Sequence, residues 1–196
     1  MTAIITLFVW ACGDKKEPSQ DQATATDADS AKNIESPYFP VYDFIRNEVE
    51  YVDSLPVGIM KYTTTGKKKD SGFIPLEEFH TLAGDFLAPE LYQATFKKLF
   101  RETSFLDKSN NNATFFYKSD DESSPVKRVD VITQKGDVYD EVKSVYIEKE
   151  IQSGDSLILK KLYWKPKRNF QVITIRSAGQ GKPTDEQIKV VWDNRE

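Results

Sequence analysis

Between residues 41 and 55 apolar side chains recur at three- and four-residue steps, Val41, Phe44, Ile45, Val49, Val52 and Leu55, with Asp43, Arg46, Asn47 and Glu50 between them. One apolar stripe at this spacing predicts an amphipathic helix, which Pro56 ends. Val57 to Thr64 is β-branched and aromatic and reads as a strand, and Thr65-Gly66-Lys67 turns it back toward Ser71-Gly72-Phe73-Ile74. Pro75 suits the first position of a second helix, whose residues Leu76, Phe79, Leu82, Ala83, Phe86 and Leu87 share a stripe. Pro89 starts a further short helix carrying Leu91 and Tyr92.

From about Phe100 the period changes to short strands between polar turns, with no helix long enough to serve as a crossover. Such spacing predicts neighbours that pair antiparallel in chain order. The expected fold class is α+β: N-terminal helices packed on one face of a curved antiparallel sheet, a meander of about six strands. The strands fall at 99–107, 113–119, 126–134, 142–152, 156–166 and 169–177, with 186–193 as a candidate seventh.

Alternation assigns an inward face to Val129 and Val131, to Val145 and Ile147, and to Ile188, Val190 and Trp192. Two strands resist this assignment. Leu157, Leu159 and Tyr163 oppose Ile158, Leu162 and Trp164, and Phe170 and Val172 oppose Ile173 and Ile175. Apolar residues on both faces imply a covered second face, the cover being either more of the chain or a partner. If that face is open, Tyr163 or Trp164 beside Tyr146 and Phe170 forms the expected binding surface for a protein, glycan or small apolar ligand.

Composition narrows the chemistry. With 27 Lys and Arg against 31 Asp and Glu the chain carries -4, the wrong sign for a protein that lives on nucleic-acid phosphates. One cysteine cannot form an internal disulfide, and one histidine cannot build a His-rich metal site. His80 does stand three residues after Glu77, a helical spacing used in carboxylate-bridged metal sites, but those sites need the pair twice. No serine lies in a glycine-flanked elbow. The sequence therefore implies no metal, no cofactor and no catalytic residue. Acids such as Asp137, Asp140, Glu141, Glu148 and Glu150 leave a carboxylate-based hydrolase of envelope glycans as the alternative to a non-enzymatic binding module. Two acids converging about 5 to 9.5 Å apart in a concave pocket would favour the hydrolase. Lys160, Lys161, Lys165, Lys167 and Arg168 gather around one hairpin with Tyr163 and Trp164, which reads as a charged hairpin tip that blocks edge pairing.

The N-terminus adds an address. The apolar run 3–11 is about half the length that crosses a bilayer as a helix, and it ends in small Ala11 before the single cysteine, Cys12. Val9-Trp10-Ala11-Cys12 resembles the lipobox of bacterial lipoproteins, although Trp10 is larger than the residue usual at its position. The resemblance implies a signal peptide over 1–11, a lipid on Cys12 as the link to a membrane, and residence in the cell envelope. Gly13 after the cysteine favours the outer membrane by the same resemblance. Residues 13–36 hold nine charges among Ser, Gln, Ala and Thr, with Ile34 as the only large aliphatic, a composition expected to stay disordered. As a flexible tether they would reach roughly 27 Å. The plan is similar to small lipoproteins of Bacteroidota, with a single α+β domain over 37–196. Six acids and three bases fall in the tether, so 25 acids and 24 bases remain in the domain. That net of -1 predicts no strong overall field to steer nucleic acid or anionic lipid.

Overall fold

The computed structural model describes residues 38–136, 140–179 and 181–193. The expected signal peptide over 1–11, Cys12, the expected tether over 13–36 and Asp137 lie outside the described residues. Within them the fold is α+β, with three α-helices and one nine-stranded, fully antiparallel sheet that is not closed. Helix α1 (Val41–Asp53) precedes a hairpin of β1 (Ile59–Thr65) and β2 (Lys68–Ile74). Helix α2 (Leu76–Ala83), two 3₁₀ turns (Gly84–Phe86 and Pro89–Leu91) and α3 (Gln93–Leu99) follow. The remaining strands are β3 (Phe100–Asp107), β4 (Asn112–Ser119), β5 (Val126–Gln134), β6 (Glu141–Ser153), β7 (Ser156–Lys165), β8 (Asn169–Ala178) and β9 (Thr184–Val191).

Strand order is β2-β1-β9-β8-β7-β6-β5-β4-β3. The expected six-strand meander is thus seven consecutive strands, β3 to β9, and the sheet has nine. The two extra strands are the N-terminal hairpin, which docks on the far side of β9 with Met60 opposite Val191 and Lys61 opposite Val190. Pairing residues so distant in sequence leaves no local signature, whereas the turns of the meander do. Pro75 sits one residue before α2 rather than inside it, in an extended conformation. The open edge of the hairpin carries Lys68 and Lys69, charges that discourage edge-to-edge association.

The helices cover one face. Val41, Ile45 and Val52 of α1, Phe79 and Ala83 of α2, Phe86 and Leu91 of the 3₁₀ turns, and Phe96 of α3 are all buried. Opposite them lie Val129, Val131, Val145, Ile147, Val190 and Trp192, the set that alternation selects, with Ile188 packed at its margin. In the ambiguous strands the sets facing the helices are Leu162 with Trp164 and Phe170 with Val172. Trp164 stacks on its cross-strand partner Phe170 (5.2 Å between centroids), takes Phe86 edge-on at 5.1 Å and touches Trp192 at 5.5 Å. Two lysines of the same face, Lys149 and its partner Lys160, are tied to the first 3₁₀ turn. Lys160 Nζ lies 2.7 Å from both Asp85 carboxylate oxygens, and Lys149 Nζ donates to the Asp85 carbonyl at 3.1 Å.

A second aromatic group, Tyr38, Phe96, Phe100 and Tyr117, seals the β3 end. Tyr117 Oη accepts the Phe39 N–H at 3.0 Å. Burial raises the Tyr117 phenol far above its ordinary value, and the Phe39 bond offsets this only in part. Tyr146 on β6 is raised by burial and then by its bond to Glu148. Above the ordinary tyrosine value of 10 the unfolded chain ionises these phenols while the folded chain keeps them neutral, so stability is full below pH 10 and falls as pH rises beyond it. Lys149, lowered by burial, acts in the opposite sense only below its ordinary 10.5, which leaves the steepest loss above that pH. The double change Tyr117→Phe with Tyr146→Phe is expected to flatten this alkaline limb, read from urea midpoints between pH 9 and about 12.

Candidate functional site

The face away from the helices is the place to look for a site, because the sheet's own register assembles a mixed row across it. Phe116 on β4 opposes Asp130 on β5, Asp130 opposes Tyr146 on β6, Tyr146 opposes Tyr163 on β7, and Tyr163 opposes Gln171 on β8. The adjacent row runs Arg101, Lys118, Arg128, Glu148 and Lys161 on β3 to β7. Tyr163 is 41% exposed, and Tyr146 is partly buried.

Side chains within these rows fix one another. Tyr146 Oη donates to Glu148 Oε2 at 2.8 Å. Arg128 Nε donates to Asp130 Oδ1 at 2.7 Å, and its guanidinium lies 5.6 Å from the centre of the Phe116 ring. Arg101 pairs with Asp120 at 3.0 Å. Phe116, Arg128 and Glu148 line an open depression of about 860 Å³, together with Arg101, Lys118 and Asp120. Flat aromatic surface thus lies beside preset donors and acceptors, groups that can meet another molecule by stacking and by charge-assisted hydrogen bonds.

Of the four residues expected on a binding face, Tyr146 and Tyr163 come together there. Trp164 and Phe170 do not: both are fully buried on the helix side, because their strand parity matches Val145 and Val190, which face the helices. The basic hairpin cluster is divided in the same way, with Lys160 turned in to Asp85 and Lys161 opposite Glu148 on the outer face. His80 Nε2 lies 2.6 Å from Asp53 Oδ1 and links α2 to α1. Among the described residues no three His, Cys, Asp or Glu side chains gather as a metal site would require.

Sequence reasoning passes over Phe116 and Arg128, whose roles depend on register. It also passes over Glu48, which is 8% exposed on α1. Glu48 Oε2 accepts the Trp164 Nε1–H at 3.3 Å and the Lys167 backbone N–H at 2.7 Å. A signal for it exists: Glu48 stands seven residues after Val41 and four before Val52, on the buried stripe of α1. Comparison of the chain with protein-family models, curated proteins and solved structures finds no match.

Proposed function

We propose that the protein is a non-enzymatic module of the cell envelope, anchored through a lipid on Cys12, that binds a protein or glycan partner on the outer sheet face. The observation that carries the binding part is the Tyr146–Tyr163 pair, held on the face opposite the helices beside an open depression. Large aromatic side chains on such a face favour a partner, since truncating central aromatics is what most weakens typical interfaces. The anchoring part rests on Val9-Trp10-Ala11-Cys12 and on the polar segment behind it. Three acids, Asp120, Glu122 and Glu148, line the depression; Asp120 is paired with Arg101 and Glu148 accepts from Tyr146, which favours binding over hydrolysis.

A photo-crosslinking amino acid placed at Tyr163 in cells is expected to yield a discrete adduct, while the same group at Tyr51, exposed on α1, yields none. Tyr163→Ala is expected to weaken capture of that partner at least tenfold, about 1.4 kcal/mol, with a change in unfolding free energy below about 1 kcal/mol. Equal adducts at both positions, or none at Tyr163, would contradict the assignment of this face.

A further inference from the structure

The turn between β7 and β8 is built in an unusual way. Among the described residues the left-handed backbone positions are filled by Gly66, Gly154, Gly179 and Asn111, all residues that tolerate this region, and by Lys167 at φ 60°. A lysine there carries a backbone cost that glycine or asparagine would avoid, and the surroundings hold it in place. The Lys167 N–H donates to buried Glu48 at 2.7 Å, and the Arg168 carbonyl accepts the N–H groups of Trp192 and Asp193, each at 3.1 Å. A strained residue that its neighbours fix is a reason to ask what its side chain does.

Lys167 borders a cleft of about 570 Å³ whose other cations are Lys143, Lys165 and Arg168, and whose apolar wall includes Phe44 and Val142. Two acids share it. Glu48 is committed inward to Trp164 and Lys167, and Glu141 lies 3.6 Å from Lys143. The near-zero charge of the whole domain conceals this local concentration. The cleft also lies where the chain enters the domain, since Phe39 packs on Phe44 with ring centres 5.5 Å apart.

We propose that this cleft is a docking surface for the phosphate-bearing headgroups of an anionic membrane. Charge complementarity selects the headgroup, the partly exposed Phe44 and Val142 suit the interfacial zone beneath it, and the position beside the domain entrance suits a domain held near the bilayer. Beside a lipid anchor, a basic patch adds reversible electrostatic attraction to an anionic surface and so sets which side of the domain faces it. The choice of a membrane as partner rests on the anchored reading above, but the cleft itself is tested without the lipid.

The test uses the full chain carrying Cys12→Ser, with sedimentation on vesicles of phosphatidylcholine alone or with one-third phosphatidylglycerol. Preferential binding to the anionic vesicles that fades with salt is expected. Replacing Lys165, Lys167 and Arg168 by Ala should reduce the anionic preference about a hundredfold, at roughly fivefold per cation. Replacing Lys67, Lys68 and Lys69 by Ala, the same charge removed from the distant β1–β2 turn, should leave it nearly intact. Lys167→Gly should raise the unfolding midpoint yet lower anionic binding about fivefold, a split that a purely structural role would not give. Equal losses from both triple changes, no anionic preference in the parent chain, or unchanged binding by Lys167→Gly would each overturn the proposal. Because the chain used here has no lipidation site, these results stand apart from whether Cys12 is acylated.

Discussion

Trp164→Ala is expected to cost about 3 to 5 kcal/mol of folding stability, the range for truncating a large aromatic side chain in a packed core. The side chain is fully buried and touches three aromatic rings from three different parts of the chain, Phe86, Phe170 and Trp192. Its removal opens a cavity between the helix layer and the sheet that these rigid rings cannot collapse to fill. It also strips Glu48 of one of its two donors while the carboxylate stays buried. For a domain of this size the loss should appear as a fall of roughly 6 to 20 °C in melting temperature. Urea unfolding should give a lower midpoint with an unchanged slope. The neighbouring change Tyr163→Ala, one residue away but on the other face, should leave both nearly unmoved, and a comparable loss there would place the outer face in the core.

That contrast marks where the sequence is legible. Strand β5 follows alternation at its centre, where Val129 and Val131 are buried and Arg128 and Asp130 face outward, and departs from it only at Ile132, which is partly buried, and Thr133, which is buried. Strands β7 and β8 carry apolar residues at both parities, and the inward set is decided by the rings the helix layer presents, Phe79 and Phe86, a contact no local pattern contains. The β1–β2 hairpin was recognisable as a hairpin, but its place beside β9 depends on a pairing across some 130 residues.

The candidate site divides along the same line. Tyr146 and Tyr163 could be named from aromatic content and placed together once the β6–β7 turn fixed their register. Phe116 and Arg128 could not: Phe116 reaches the row of Tyr146 only through two successive pairings, and Arg128 reaches the adjacent row only through a β5–β6 register that shifts beside it. Glu48 was hidden by the ordinary expectation that an acid on an amphipathic helix faces water. Its burial is offset by the Trp164 and Lys167 donors, and both lie more than a hundred residues away in sequence.

The other large effect concerns Cys12. If the chain is processed as its lipobox resemblance implies, the mature protein begins at Cys12 and carries two or three acyl chains. A single myristoyl-sized chain gives marginal, reversible attachment, at about 0.8 kcal/mol per buried methylene, whereas two or more make it stable. Cys12→Ser is therefore expected to convert a membrane-bound protein into one recovered almost wholly in the soluble fraction. Among the described residues no helix is long and apolar enough to cross a membrane, so the folded domain offers no transmembrane helix to take over from the lipid. The basic cleft would contribute reversible, salt-sensitive binding only, which a high-salt wash removes. The most direct test is the mass of the N-terminal peptide of the protein extracted from membranes. An acylated peptide starting at Cys12 is the expected result, and an unmodified peptide that retains residues 1–11 would contradict the account.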